Sequence, residues 1–243
     1  VNRDTVVVGY LDDGHWSASF GLSYRDMCLA DMVGSQRIRQ ELRKVAGTGG
    51  IVDGRNDLAT QFLDHTEGEW LYMVDTDMGF TPDTVDRLIK AADPVQRPVV
   101  GALAFALKRV SMTDELRAET YDIIPTLYSY MELEDEVGFL PMLEYPRDEL
   151  VQVAATGAAC LVIHRTVLHR IREKHGPVWF DPVVHATGDK GGRRRFSEDL
   201  SFCVRVQEIG FKIYVDTAVK TSHEKGGIFL TEKTYDRHRA KSS

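Results

Sequence analysis

Asp75 and Asp77 stand two positions apart, directly behind the apolar run Trp70-Leu71-Tyr72-Met73-Val74. In extended backbone, residues i and i+2 project the same way, so a strand continuing through them makes the two carboxylates converge. Converging like charges repel unless protons or a cation intervene. A hard divalent ion, Mn²⁺ or Mg²⁺, suits oxygen ligands and takes substrate phosphates as further ligands. The same residues also fit a solvated turn ahead of a helix start at Thr81, and spacing alone leaves both readings open.

Three further groups carry the same ambiguity. Ser197-Glu198-Asp199 opens a helix behind a Gly-rich basic stretch, residues 186–195. Acids in a first helical turn complement the helix dipole and need no other purpose. A carboxylate facing a pocket would instead accept a proton from an incoming hydroxyl. His223 follows the strand-like residues 218–222; a lone histidine is usually a surface or satisfied core residue. At a strand end beside two carboxylates, its neutral imidazole is competent as a third Mn²⁺ ligand. Arg55, in Gly54-Arg55-Asn56, stands at an expected helix N-terminus, where free amides and a guanidinium make a diphosphate contact. Pairing of Arg55 with Asp53 or Asp57 on the surface is the alternative. Arg193, Arg194 and Arg195 fit either a phosphate clamp or a solvated loop.

The elements that must position these groups alternate between apolar runs and amphipathic stretches, the pattern of an α/β domain with a largely parallel sheet. Residues 5–9 form a first strand, and residues 10–34 are polar and aromatic, then weakly helical. Residues 38–46 carry helical spacing where the alternation asks for a strand. A helix opens at Gly54 with Leu58, Ala59, Phe62 and Leu63 on one face, and a strand follows at Trp70–Val74. Thr81-Pro82-Asp83 starts a helix with a hydroxyl cap and proline in the first turn. Strands are expected at 98–106, 151–155 and 158–163, and helices at 166–175 and from Ser197 to the stop at Gly210. Residues 211–215 and 218–222 close the sheet. Residues 108–150 read as an insertion with a short strand at 127–131, and residues 231–243 as a polar, loosely held tail. In open α/β sheets, ligands gather at the carboxyl ends of strands, which is where Asp75 and Asp77 fall.

A chain of 243 residues with 43% hydrophobic and 28% charged side chains suits one large globular domain and argues against disorder. Thirty basic against thirty-seven acidic side chains give a net charge of −7. That balance disfavours nucleic acid as a non-specific partner. No apolar run reaches the roughly 18–20 residues a transmembrane helix needs, and residues 1–4 lead into the first strand with no visible secretory signal. Cys28, Cys160 and Cys203 are scattered, with no CxxC pair, as in a reducing compartment. The expected location is cytoplasmic.

Taken in order, five segments resemble a nucleotide-sugar glycosyltransferase of the GT-A fold, close to the family 2 type. They are Gly54-Arg55-Asn56-Asp57-Leu58-Ala59, Trp70 through Met78, Thr156-Gly157-Ala158 through Ile163, Glu198-Asp199, and His223. The run from Arg55 through Pro82 is most similar to small stand-alone members of phage and bacterial origin, for which the cytoplasm is the host's where a phage encodes them. The resemblance covers residues 5–227 and is weakest in 108–149.

It implies one α/β, Rossmann-like GT-A domain over residues 1–230, with a central, mostly parallel mixed sheet flanked by helices and residues 108–150 on the acceptor side. It implies metal-dependent transfer of a sugar from a nucleoside-diphosphate donor, UDP- or GDP-linked, to an acceptor hydroxyl. Asp75 and Asp77 correspond to the DxD pair, Asp77 the more direct ligand of Mn²⁺ or Mg²⁺, with Thr76 between them in the donor-binding set. His223 corresponds to the late metal-binding histidine. Gly9, Tyr10, Asp53 and Arg55 fall where the family holds nucleoside and diphosphate, and Gly157 where backbone approaches sugar or acceptor. Asp199 corresponds to the general base of inverting members, with Glu198 beside it.

The chain departs from the pattern in its first turn, where Gly9-Tyr10-Leu11-Asp12-Asp13 replaces the usual Pro and Asn. No QxxRW-like segment follows His223, which argues against a processive synthase. Two rivals remain. A haloacid-dehalogenase-like phosphoryl-transfer enzyme also puts DxD after a buried strand, but Gly188-Asp189 lacks the second acid four residues on. A non-catalytic nucleotide-binding module would bind nucleotide without turnover.

Overall fold

Trp70–Val74 is apolar at all five positions and buried at all five, as a strand covered on both faces must be. Alternation splits it between two cores: Leu71 and Met73 join Phe62, Trp179 and Phe202 on one side of the sheet, while Trp70, Tyr72 and Val74 join Phe20, Phe80 and Leu88 on the other. A computed structural model describes residues 4–45, 50–113, 118–133, 136–187 and 192–242. Gly188-Asp189, Ala46 and residues 1–3 lie outside the described residues.

In chain order the first half comprises β1 (Val6–Asp12), α1 (Ala18–Val33), β2 (Ile38–Val45), α2 (Gly50–His65), β3 (Trp70–Val74), β4 (Met78–Gly79), α3 (Thr84–Ala91) and β5 (Val99–Leu103). Then come β6 (Phe105–Thr113), β7 (Ala118–Pro125), β8 (Leu127–Leu133), β9 (Glu136–Pro141), β10 (Leu150–Val153), β11 (Ala155–Thr156), β12 (Cys160–His164) and α4 (Arg165–His175). The chain closes with β13 (Val184–Thr187), β14 (Gly192–Arg195), α5 (Glu198–Glu208), β15 (Ile213–Lys220), β16 (Ser222–Lys225), β17 (Ile228–Leu230) and α6 (Glu232–Ser242).

The main sheet has the order β10-β15-β5-β12-β3-β1-β2. β1 runs parallel to β2 and β3, and β15 parallel to β5, while β12 lies antiparallel between β3 and β5. That arrangement puts the carboxyl ends of β1 and β3 and the amino end of β12 on one edge. Leu11–Asp13, Asp75 and Gly157 therefore share an edge although they are distant in sequence. Beyond it, β4 pairs antiparallel with β16, setting His223 opposite Met78.

Residues 38–45, where helical spacing and the α/β alternation disagreed, are a strand: they pair with β1 at the sheet edge, and only Leu42 is buried. Three expectations change. Helix α2 starts at Gly50, four residues ahead of Gly54. Residues 108–150 contain regular structure, with β6 paired to β7 and β8 paired to β9; β8 contains the expected 127–131 strand. The polar tail forms α6, held to the domain by Tyr235 and its ion pairs. Tyr235 is 2% exposed, lies tilted against the Phe105 ring at 5.2 Å and donates to the Leu143 carbonyl. Arg147 meets Asp236 at 2.7 Å and Lys220 meets Glu232 at 2.6 Å.

Candidate active site

The strand carrying the acidic pair does not continue through it. After Val74 the Asp75 amide donates to the Ala159 carbonyl at 3.0 Å, and the Met78 amide donates back to the Asp75 carbonyl at 3.1 Å. This turn interrupts the extended backbone from which the convergence was expected, and both side chains line one cavity. Asp75 swings toward Arg55, whose Nη2 lies 3.0 Å from Oδ1 and 3.3 Å from Oδ2. Asp77 is held on the other side by the β4–β16 ladder, where the Glu224 amide donates to its carbonyl at 2.9 Å. His223 and Lys225, two apart on β16, share a face. They bracket the Asp77 carboxylate, His223 Nε2 at 3.2 Å from Oδ1 and Lys225 Nζ at 2.5 Å from Oδ2.

The imidazole is oriented from behind. His223 is 8% exposed and its Nδ1 lies 2.9 Å from the Phe105 carbonyl oxygen. A carbonyl can only accept, so Nδ1 carries the hydrogen, and it is the ring's neutral form that presents a lone pair at Nε2. Nε2 and Asp77 Oδ1 are both buried and lack a hydrogen-bond partner among the described residues. Two acceptors 3.2 Å apart repel unless a proton or cation lies between them. A ring nitrogen steered by its Nδ1–H onto a carbonyl is the arrangement of metal-bound histidines. Burial lifts the Asp77 pKa, but a hydrogen bond from Nε2 when that nitrogen carries a proton, and then Lys225, outweigh it and bring the group down to about 2.

Among the described residues, no group of three or more His, Cys, Asp or Glu is gathered as a metal cage. Of the expected set Asp75, Asp77 and His223, Asp77 and His223 lie side by side, while Asp75 lies against Arg55. Mg²⁺-like ions are commonly held by one or two carboxylates plus substrate phosphates. Asp77 and His223 fit an ion that arrives with a diphosphate.

Arg55 is 1% exposed in the second turn of α2, so it is not at the helix N-terminus as expected. Its Nη1 meets Asp199 closely and lies 3.3 Å from Glu198 Oε1, while Nη2 holds Asp75. One guanidinium is shared by three carboxylates at the wall of a cavity. Glu198 and Asp199 open α5, so they also complement its dipole. The Asp199 pKa is pushed up to about 6 by burial and by the charges of Glu198 and Asp75, against the downward pull of Arg55 and the Ala158 amide. Burial, with the Asp199 charge behind it, raises nearby Tyr128 to about 12.

Two adjoining cavities share Ile51, Asp75 and Lys225. One, about 260 Å³, is lined by Arg55, Asp75, Gly157, Glu198, Asp199 and His223, with Thr126, Tyr128 and Thr156. The other, about 290 Å³, is lined by Leu11, Asp13, Gly50, Ile51, Gly54, Asp75, Thr76 and Asp77. Gly54 permits close approach there, since a Cβ would stand 2.8 Å from Leu11 Cδ2.

Gly9, Tyr10 and Asp53 line neither cavity. β1 runs three residues past Gly9, which packs on Leu71 and Leu58 inside the sheet. Tyr10 is buried among Trp16, Phe20 and Tyr24 with its hydroxyl on Glu41. Asp53 is exposed on α2. Arg193, Arg194 and Arg195 are exposed on β14, outside both cavities. Sequence reasoning missed Leu11, Asp13, Ile51, Tyr128 and Lys225. The period-two alternation from His223 was the available signal for Lys225.

No protein-family model and no curated protein sequence matches this chain. Among solved structures, A197 from STIV is similar over 96% of this chain and 91% of its own, at 13% identity and a TM-score of 0.53. The structure of GalNAc-T7 with UDP, GalNAc and Mn²⁺ is similar over 98% of this chain, at 13% identity and a TM-score of 0.55. The chain spans about half of GalNAc-T7, 48% of that chain. At such identity the likeness carries the fold, and the GT-A architecture expected from the sequence is the one adopted.

Proposed function

We propose that this protein is a metal-dependent glycosyltransferase that moves a sugar from a nucleoside-diphosphate donor to an acceptor hydroxyl. The observation that carries the reading is the buried pair of Asp77 Oδ1 and His223 Nε2, which face each other at 3.2 Å and have no other hydrogen-bond partner among the described residues. Asp77 lines one cavity, and His223 lines the other together with Asp199. The GalNAc-T7 structure, with UDP, GalNAc and Mn²⁺, supports both donor class and ion. In this reading the nucleoside takes the cavity at Leu11, Asp13 and Thr76, and the sugar and acceptor take the one at Gly157 and Asp199.

When bound, Mn²⁺ or Mg²⁺ supplies positive charge against the leaving diphosphate. Asp77 and His223 would hold it. Asp199 accepts the acceptor hydroxyl's proton on its carboxylate oxygen; with a pKa near 6 it is ionised at neutral pH yet basic enough to serve. Arg55 fixes the directions of Asp75 and Asp199, and Gly157 leaves room over Asp199, whose Oδ2 lies 3.7 Å from where a Cβ would stand. Attack from the face opposite the leaving group inverts the anomeric centre.

A phosphoryl-transfer reading needs Asp75 as a free nucleophile, and its two oxygens are engaged by Arg55. A non-catalytic nucleotide-binding module is the second reading, favoured by the way Arg55 and Lys225 already neutralise Asp199 and Asp77.

The test is a thermal-shift screen of UDP-, GDP-, CMP- and TDP-sugars with and without Mn²⁺, followed by release of free nucleotide. A ligand at 100 times its Kd adds about 2.7 kcal/mol. For a chain of this size that is a rise of roughly 5–10 °C in Tm. We expect one donor class to give it only with Mn²⁺. No shift with any donor rejects the reading, and a shift without turnover on any acceptor selects the binding module.

A further inference from the structure

Lys225 has no part in the chemistry above, yet it lines both cavities. Its backbone is fixed. It ends β16 at a two-residue turn in which Gly226 and Gly227 have φ of +58° and +79°, and it pairs with Ile228 across the hairpin. Two consecutive residues at positive φ make the tight turn that matches strand twist. From that fixed point a flexible four-carbon stem carries the ammonium to Asp77 Oδ2 at 2.5 Å. The lysine side chain is 45% exposed and the carboxylate 31%, so the ammonium can leave without breaking the core.

Both Asp77 oxygens are thus addressed, one by the imidazole and one by the ammonium. A divalent cation on Asp77 and His223 would sit beside that ammonium and be repelled by it. A diphosphate at the junction of the two cavities would offer the displaced ammonium a new anionic partner.

We propose that Lys225 is a built-in counter-ion that competes with the divalent cation for Asp77 and, once displaced, meets the diphosphate, so that cation and nucleotide load together and each loads poorly alone. The second half rests on the donor-site reading above; the first half does not. Without nucleotide, the ammonium holds the carboxylate and keeps a cation off. With nucleotide, the same ammonium adds to the grip on the phosphates. Removing it therefore has opposite effects on the two ligands, a signature that general loss of structure does not produce.

The experiment is calorimetry on wild type, Lys225→Met and Lys225→Arg with three titrants: Mn²⁺ alone, UDP or GDP alone, and UDP or GDP at saturating Mn²⁺. A partly exposed ion pair is worth up to about fivefold in an equilibrium. We expect Mn²⁺ alone to bind Lys225→Met about fivefold tighter than wild type. The nucleoside diphosphate at saturating Mn²⁺ should bind it about fivefold or more weaker, and Lys225→Arg should stay near wild type in both. Mn²⁺ binding no tighter to Lys225→Met than to wild type, including no binding to either, overturns the counter-ion role. If neither UDP nor GDP binds wild type under any condition, the donor-site reading and the diphosphate half fall together, while the Mn²⁺-alone comparison still decides the first half. Nucleotide affinity unchanged by Lys225→Met, with Mn²⁺ binding tightened, overturns the diphosphate half alone.

Discussion

Replacing Arg55 with methionine keeps most of the side-chain length and removes the guanidinium that Asp75, Glu198 and Asp199 share. Arg55 is 1% exposed, and removing one partner of a buried ion pair costs about 3–5 kcal/mol, mostly because the remaining charges lose their compensation. Set against a net domain stability of about 5–15 kcal/mol, the loss is severe but leaves a folded protein at the upper end of that range. The cost should depend on pH, because the stranded carboxylates can escape it by protonation.

Asp199 shows the sign. Its folded pKa of about 6 lies above the ordinary 3.8, so the fold holds this proton more tightly than the unfolded chain does. The cost of ionising it is absent below 3.8 and complete above about 6. Without Arg55 the folded pKa rises further and the window extends upward. Urea unfolding of wild type and Arg55→Met at pH 5 and pH 8 should show a larger gap at pH 8. Asp199→Asn in the Arg55→Met background should restore part of it, with a coupling of about 1–3 kcal/mol. A variant within about 0.5 kcal/mol of wild type at pH 8, below the cost of any broken buried pair, would refute the reasoning. So would a gap that shrinks as pH rises.

Asp199→Asn on its own should keep the fold and donor binding and lose transfer by about 10²-fold or more; a near-wild-type rate would move the base elsewhere. In the unmodified protein, kcat/KM should fall as pH drops through about 6, the pKa of Asp199, and a rate flat from pH 5 to 8 would contradict the assignment. Gly54→Ala sets two effects against each other. Alanine in a helix interior gains about 0.5–1 kcal/mol, but the new Cβ would press Leu11, 2.8 Å away, toward the 290 Å³ cavity. Leu11 can yield through its side chain, so stability should change by less than about 1 kcal/mol while nucleotide affinity falls. Unchanged affinity measured by calorimetry would deny that cavity to the donor.

What was legible in the sequence is what local pattern determines. Five apolar residues in a row at Trp70–Val74 announce a doubly covered strand, and the faces of α2 and α3 follow from their periodicity. β2 was ambiguous because Ile38–Val45 is rich in helix-compatible Arg, Gln, Glu and Leu, and only pairing with β1 makes it a strand. The polar tail looked loose because its anchors lie far off in sequence: Tyr235 rests on Phe105, and His238 contacts Asp122 at 2.6 Å.

The site divides the same way. That Asp77, Asp199 and His223 should lie at the cavities could be read from position and resemblance. The direction of Asp75 could not, since its amide is held by the carbonyl of Ala159, just ahead of the neighbouring strand β12. Nor could the commitment of Arg55, whose partners lie 20, 143 and 144 residues away. Ion-pair choice is a matter of tertiary proximity, and spacing along the chain does not encode it.

The most direct measurement is anomalous diffraction from crystals grown with Mn²⁺ and the nucleoside diphosphate that binds. We expect one strong manganese peak within about 2.1 Å of an Asp77 carboxylate oxygen, the usual bond length for a small divalent ion, and bonded also to His223 Nε2, with Lys225 swung away from Asp77. A bound nucleotide with manganese elsewhere, or with His223 still facing Asp77 and no ion between them, would contradict it.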